Sequence, residues 1–311
     1  MARWDFSAWP VGLTRHDTIN TFLATESILP GVHEILDQGR RVHILFRDNK
    51  SKNLMVFFHG AMPEDVINSY TLPVFSGVKI ADNADADRLL ISDTTLSLSK
   101  DNLKLGWFTG SAEYNFFNSI QAVINKFASS YNRVIFIGGS GGGFASLRAS
   151  ALTPGSTALI WNPQTDIAKY HRKAVSHYGQ ECFGNENFEA IDPEIRATRH
   201  SNLCDLYAQP RENRIIYFQN GPDSLHVRKH AGPFLEAYGK ANGLGYPAPT
   251  FGLFGRDLLH VQGRWPGGHK PPPQRVLVKT IDTFLAAGDQ DGLAAVQRAL
   301  SHEKYTSLIF Q

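Results

Sequence analysis

Residues 133–145 read Arg133-Val134-Ile135-Phe136-Ile137-Gly138-Gly139-Ser140-Gly141-Gly142-Gly143-Phe144-Ala145, and no other stretch restricts the fold so tightly. The apolar run from Val134 to Ile137 has the composition of a buried strand. It drops directly into Gly138-x-Ser140-x-Gly142, and Phe144 to Ala149 continues at helical spacing. Strand, G-x-S-x-G and helix in that order describe a sharp turn with a serine at its tip. Side chains flanking that serine would collide with the strand and helix backbones, so the turn requires glycine on both sides. Held there, a serine hydroxyl stands clear of the sheet and can serve as a nucleophile.

A glycine-rich strand-to-helix turn can instead cradle phosphate on the helix N-terminus. A phosphate loop ending in G-K-[ST] needs a lysine after the spacer, and none stands there. The dinucleotide pattern begins in Gly139-Ser140-Gly141 but has Phe144 where its third glycine or alanine belongs. The catalytic serine is the reading that survives.

A chain of 311 residues, 42% of them hydrophobic, can bury the core of one large α/β domain with a lid. Its 31 basic and 29 acidic residues leave a net charge of +2, which favours neither nucleic acid nor an anionic membrane surface as partner. The short basic cluster His226-Val227-Arg228-Lys229-His230 reads as a solvated helix face. The two cysteines, Cys182 and Cys204, read as free thiols in a reducing compartment. No apolar run reaches transmembrane length, and Met1 to Phe6 lacks the apolar core of a signal peptide, so a cytoplasmic protein is expected. No metal site is expected, because H-E-x-x-H and ligand-spaced cysteines are absent. Asp82 to Asp87 is acidic but lacks the glycine and final glutamate of a calcium loop, and reads as a solvated turn.

Short apolar strands alternate with helical stretches, the rhythm of a mostly parallel central sheet flanked by helices. An antiparallel pair opens the series, Val32–Leu36 and Arg41–Arg47 about the turn Gln38-Gly39-Arg40. Strands follow at Leu54–Phe58, Arg88–Ser92, Val134–Ile137, Ala158–Trp161 and Arg214–Phe218, with Thr250–Phe254 as the last candidate. Helical spacing covers Asn115 to Ser129, and a helix with an apolar stripe begins near Pro272 and ends the fold. Residues 167–212 exceed an ordinary connection and read as a helical cap insertion within a single domain over 1–311. Its aromatics, among them Tyr170, Tyr178, Phe183 and Phe188, suit either a polar substrate or a small core of their own.

A serine nucleophile needs a base, an orienting acid and an oxyanion site. In the chain order Ser, then Asp, then His, Asp223 follows a late strand in the turn-rich Gln219-Asn220-Gly221-Pro222-Asp223, and Asp166 is the alternative. His269 sits in a glycine- and proline-framed loop before the last helix, whereas His260 lies in the apolar Asp257-Leu258-Leu259-His260-Val261. We therefore expect Ser140, Asp223 and His269 as the triad. His59-Gly60-Ala61 ends an early strand where a second oxyanion donor belongs, pairing Ala61 or Gly60 N–H with that of Gly141. His59, Trp161 and Tyr170 are the candidate substrate contacts, His59 also being suited to bonding the loop backbone.

These pieces resemble an α/β-hydrolase. More narrowly they are similar to a branch that includes an accessory Sec-system secretion protein and capsular polysaccharide O-acetyltransferases. The resemblance rests on His59-Gly60-Ala61, Ser92-Asp93-Thr94-Thr95-Leu96, Gly106-Trp107-Phe108, Gly138 to Gly143, Trp161-Asn162-Pro163-Gln164 and Gly268-His269-Lys270-Pro271-Pro272. It implies acyl chemistry on carbohydrate hydroxyls, by an esterase or by a transferase with acetyl-CoA as donor, and no resident cofactor. One departure is the lone His269, where a second neighbouring histidine is expected.

Overall fold

The computed structural model describes residues 4–67, 69–99, 103–287 and 291–311; Met1, Ala2 and Arg3, with which the N-terminal reading begins, lie outside the described residues. Ten strands form one sheet: β1 (Leu13–His16), β2 (Gly31–Asp37), β3 (Arg40–Arg47), β4 (Asn53–Phe58), β5 (Asp87–Ile91), β6 (Arg133–Gly139), β7 (Thr157–Trp161), β8 (Arg214–Asn220), β9 (Phe251–Leu253) and β10 (Leu258–Gly263). Their spatial order is β1-β2-β3-β5-β4-β6-β7-β8-β10-β9. From β5 through β10 the neighbours are parallel, while β2, β3 and the edge strand β9 pair antiparallel.

Alternation along each strand divides the core between the two faces. In β6, Ile135 and Ile137 pack with Val276, Leu277, Ile281 and Phe284 of the helix Gln274–Ala286. On the opposite face, Val134 and Phe136 meet Phe116, Ile120, Val123 and Phe127 of the helix Phe116–Ala128. The helix after the serine, Gly141–Ala151, is buried along its whole length, which explains why its sequence is mostly small or apolar, with Arg148 the one charged residue.

Several expectations need correction. The sheet gains β1 and β10; Thr250–Phe254 is not the last strand but contains the edge strand β9, which returns antiparallel to β10. His260 and Gln262 interrupt the apolar pattern of β10, yet that strand, not β9, pairs with β8. The helix near Pro272 does not end the fold, because helices Gly292–Leu300 and Glu303–Ile309 follow it. In the basic cluster, Arg228 and Lys229 are exposed but His226 and His230 are buried. The acidic stretch is likewise mixed: Asp87 is buried in β5 and accepts from Asn49 N–H, Ser51 N–H and the Tyr131 hydroxyl.

Residues 167–212 form helices Arg172–Phe183, Pro193–Thr198 and Leu203–Leu206 with short 3₁₀ turns between β7 and β8. Tyr178, Phe183 and Phe188 pack on one another, so most of the segment's aromatics build a core. Cys182 and Cys204 are free thiols. Among the described residues, no helix is long and apolar enough to cross a membrane.

The serine turn leaves no room for a methyl group on its glycines. A Cβ on Gly142 would stand 2.4 Å from the Phe58 carbonyl oxygen, and one on Gly138 would stand 2.4 Å from that of Gly142. Both obstacles are backbone and cannot swing aside. Gly142→Ala is therefore expected to lose about 1–3 kcal/mol of stability by overpacking, read in guanidinium denaturation; an unchanged midpoint would contradict this packing.

Candidate active site

Ser140 stands between β6 and the following helix with φ 56° and ψ −123°, a backbone conformation rare for any residue but glycine. Its turn is tied from both sides. Ser140 N–H donates to Trp161 O at 3.1 Å, and Gln164 N–H donates to Ser140 O at 3.2 Å. Its surroundings thus hold a non-glycine residue in a strained conformation.

Asp223 follows β8, and its carboxylate accepts from two histidines. His269 Nδ1 donates to Oδ2 at 2.6 Å and His226 Nδ1 donates to Oδ1 at 3.0 Å. Burial pushes this carboxyl up, but the hydrogen bonds and charge of His226 and His269 outweigh it, holding Asp223 well below the usual carboxylate range. With Nδ1–H committed to Asp223, the His269 Nε2 lone pair is left to act as base.

The His269 loop is pinned by two asparagines at the ends of neighbouring strands. Asn220 Nδ2 donates to Trp265 O at 2.8 Å and Gly268 O at 2.7 Å, and Asn162 Nδ2 donates to Lys270 O at 2.8 Å. Neither role was foreseen, since asparagine after a strand reads first as a turn former.

Ser140 and His269 line one cavity of about 340 Å³ together with Gly60, Ala61, Lys104, Trp161 and Tyr170. No hydrogen bond joins the serine to the histidine in this resting arrangement, a contact that commonly tightens only when substrate is bound. The Ser140 hydroxyl instead accepts from Gln164 Nε2 at 2.8 Å, and Tyr170 lines the same cavity.

The Gly60-Ala61 loop lies against the serine turn; a Cβ on Gly60 would be 3.8 Å from that of Ser140. Gly141 opens the helix after the serine, so its N–H belongs to the donor-rich helix N-terminus.

The expected substrate contact at His59 is not realised. His59 Nδ1 donates to Gly60 O at 2.8 Å and Nε2 accepts from Asp93 N–H at 3.2 Å, so the ring is buried holding loop backbone. Of the alternatives, Asp166 caps a turn by accepting from Ala168 N–H, and His260 Nδ1 bonds Pro249 O at 2.6 Å. Neither lines the cavity of Ser140.

His226, which the sequence places on a solvated helix face, is buried and joins the site instead. Its ring stacks on His269 at 4.1 Å between centroids and 25° between planes. The second histidine missing from the loop is thus supplied from the segment after β8. Asp223, His226 and His269 also offer atoms within 4.8 Å of one another, close enough for a metal ion, although both Nδ1 atoms already bond the carboxylate.

No protein-family model matches the chain, and no curated protein matches it. Solved structures do. A mutant capsule O-acetyltransferase of Neisseria meningitidis serogroup A in complex with CoA is similar at 12% identity and TM-score 0.51, over 89% of this chain and 96% of that one. An S-formylglutathione hydrolase from Agrobacterium tumefaciens is similar at 11% identity and TM-score 0.51, over 88% of this chain and 99% of that one. The acylaminoacyl peptidase of Pyrococcus horikoshii gives 12% identity and TM-score 0.51, over 85% of this chain and 42% of that one. Likeness at such identity is likeness of fold: the chain has the α/β-hydrolase fold.

Burial pushes His226 down from the usual imidazole range and His230 down to about 3. Each folded value lies below the unfolded 6.5, so the unfolded chain takes up more protons as pH falls. The stabilisation is complete above about pH 6.5 and is lost below it; Asp223, held low, adds its own loss below about pH 4. The thermal midpoint should fall steadily between about pH 7 and about pH 4, and a flat profile would contradict this burial.

Proposed function

We propose that the chain is a serine-dependent carboxylic-ester hydrolase that works through an acyl-serine intermediate. The observation that carries this reading is the strained Ser140 turn opening into the same cavity as His269, whose Nδ1 is bound to Asp223. His269 Nε2 takes the Ser140 proton as Oγ attacks the ester carbonyl. Backbone N–H groups of Gly141 and Ala61, with Gly60 shaping the loop, hold the oxyanion. Protonated His269 then returns its proton to the leaving alcohol, and water releases the acyl group by the same steps in reverse order.

Trp161 and Tyr170 form walls of the cavity, and the segment 167–212 serves as its lid through Tyr170. A cavity of about 340 Å³ suits a small acyl group with part of a larger polar alcohol left outside. The substrate class we favour is the O-acetyl ester of a carbohydrate. The likeness to a capsule O-acetyltransferase favours a second reading, transfer of acetyl from acetyl-CoA to a glycan hydroxyl. Both share the acyl-serine half-reaction and differ in which hydroxyl completes it. The free thiols Cys182 and Cys204 suit a reducing, cytoplasmic setting.

A fluorophosphonate probe followed by intact-mass analysis tests the shared step. Wild type should carry one adduct, Ser140→Ala none, and His269→Ala should react roughly 10³-fold more slowly. An adduct that persists in Ser140→Ala would remove the nucleophile from this reading. Independently, Asp223→Asn should lower kcat on p-nitrophenyl acetate by about 10³–10⁴-fold with the fold intact; near-normal turnover would show that the acid lies elsewhere.

A further inference from the structure

Gln164 is the feature of this site that a triad and an oxyanion loop leave unused. Its side chain is fully buried, and its two ends are engaged by different residues. Trp107 Nε1 lies 2.6 Å from Oε1, and Nε2 lies 2.8 Å from Ser140 Oγ. An indole nitrogen can only donate, so the atom facing Trp107 must be the amide oxygen. The amide N–H is thereby forced toward the serine, since a flipped amide would set donor against donor.

Trp107 is itself held in an unusual backbone. Trp107 and Phe108 have φ values of 53° and 56°, two consecutive bulky residues in the left-handed region. Phe108 N–H donates to Asp93 Oδ2 at 3.0 Å, and Arg148 Nη2 donates to Phe108 O at 2.8 Å and to Trp107 O at 3.2 Å. Asp93 and Arg148 are fully buried, and the Arg148 guanidinium lies 3.6 Å over the Phe117 ring. An acidic and a basic side chain are thus kept in the interior holding a strained turn whose indole aims Gln164 at the nucleophile. Strain maintained in this way belongs to functional sites.

We propose that Gln164 is a further catalytic residue, donating its Nε2–H to Ser140 Oγ and stabilising the charge that gathers there during attack. The inference rests on the serine-nucleophile reading above. A hydroxyl oxygen has one proton and two lone pairs. The proton leaves for His269 Nε2 and the O–H bonding pair stays on Oγ, one lone pair forms the bond to the carbonyl carbon, and another stays with Gln164. The carbonyl π pair moves to the oxyanion. As negative charge builds on Oγ the Gln164 bond becomes charge-assisted, and it weakens again once Oγ is an ester oxygen. An interaction strongest between ground state and acyl-enzyme accelerates attack rather than binding. Trp107 is a positioning residue, acting through Gln164.

The test is the kinetics of fluorophosphonate labelling, separated into the limiting rate and the apparent affinity, on wild type, Gln164→Met and Trp107→Phe. Gln164→Met removes the donor at nearly constant length and should lower the limiting rate by about 10²-fold with unchanged affinity. Trp107→Phe leaves Gln164 in place but frees its amide to rotate, and should give a smaller loss in the same direction. If wild type labels and both folded variants label at its rate, Gln164 has no catalytic part and the serine reading stands. A loss in affinity alone also overturns the proposal, because it makes Gln164 a wall of the pocket. If Gln164→Met fails to fold, Trp107→Phe decides: slowed labelling supports the proposal, and the wild-type rate overturns it. An unlabelled wild type removes the serine reading and this inference with it.

Discussion

One backbone conformation governs this molecule: the left-handed turn at Ser140, which joins β6 to its helix without a spacer residue. A non-glycine residue there costs about 1–3 kcal/mol, and the turn survives because its neighbours give it no alternative. A Cβ on Gly138 or Gly142 would meet backbone, and one on Gly139 or Gly141 the side chain of Trp161 or Leu105, so the turn has no room to relax by shifting. Its carbonyl is bonded to Gln164, after β7, and its N–H to Trp161, the last residue of β7. Strand order then does the rest. With β6 central and parallel to its neighbours, the loops after β4, β7, β8 and β10 all emerge at the edge where the serine stands.

Those loops are locked to one another by buried polar side chains. Asn162 and Asn220 fix the His269 loop, and Asp223 binds two histidines. Beneath the serine, His59, Asp93, Trp107 and Gln164 are joined through the 92–108 segment. A buried network of this kind is stabilising only when nearly every donor and acceptor is matched, so it specifies a single arrangement. That property suits a site where small displacements of a nucleophile and base reduce rate steeply.

Much of this was legible in the sequence because the governing constraints are local. The glycines at 138 and 142, the strand before them and the helix after them declare the turn within a dozen residues. Asp223 and His269 are placed by chain order, and the structure does bring them together. What stayed hidden depends on contacts between distant segments. His226 lies beside Arg228 and Lys229 and shares their polar character, yet its neighbour in space is His269. The apolar pattern of β10 is broken by His260 and Gln262, which concealed an interior strand behind the more apolar edge strand β9. Gln164 stands in one of the segments that carry the resemblance, but nothing in the sequence marks its role. Its meaning comes from an indole in a segment some fifty residues earlier, through a hydrogen bond across 57 positions.

The central claim is that Ser140 carries the acyl group, and the most direct measurement is peptide mapping of protein quenched in acid during turnover of p-nitrophenyl acetate. The account predicts one acetyl group on the peptide containing Ser140, absent when His269 is replaced by alanine. Ester turnover with no acetyl on that peptide, or with acetyl on a lysine or on one of the two cysteines, would contradict it.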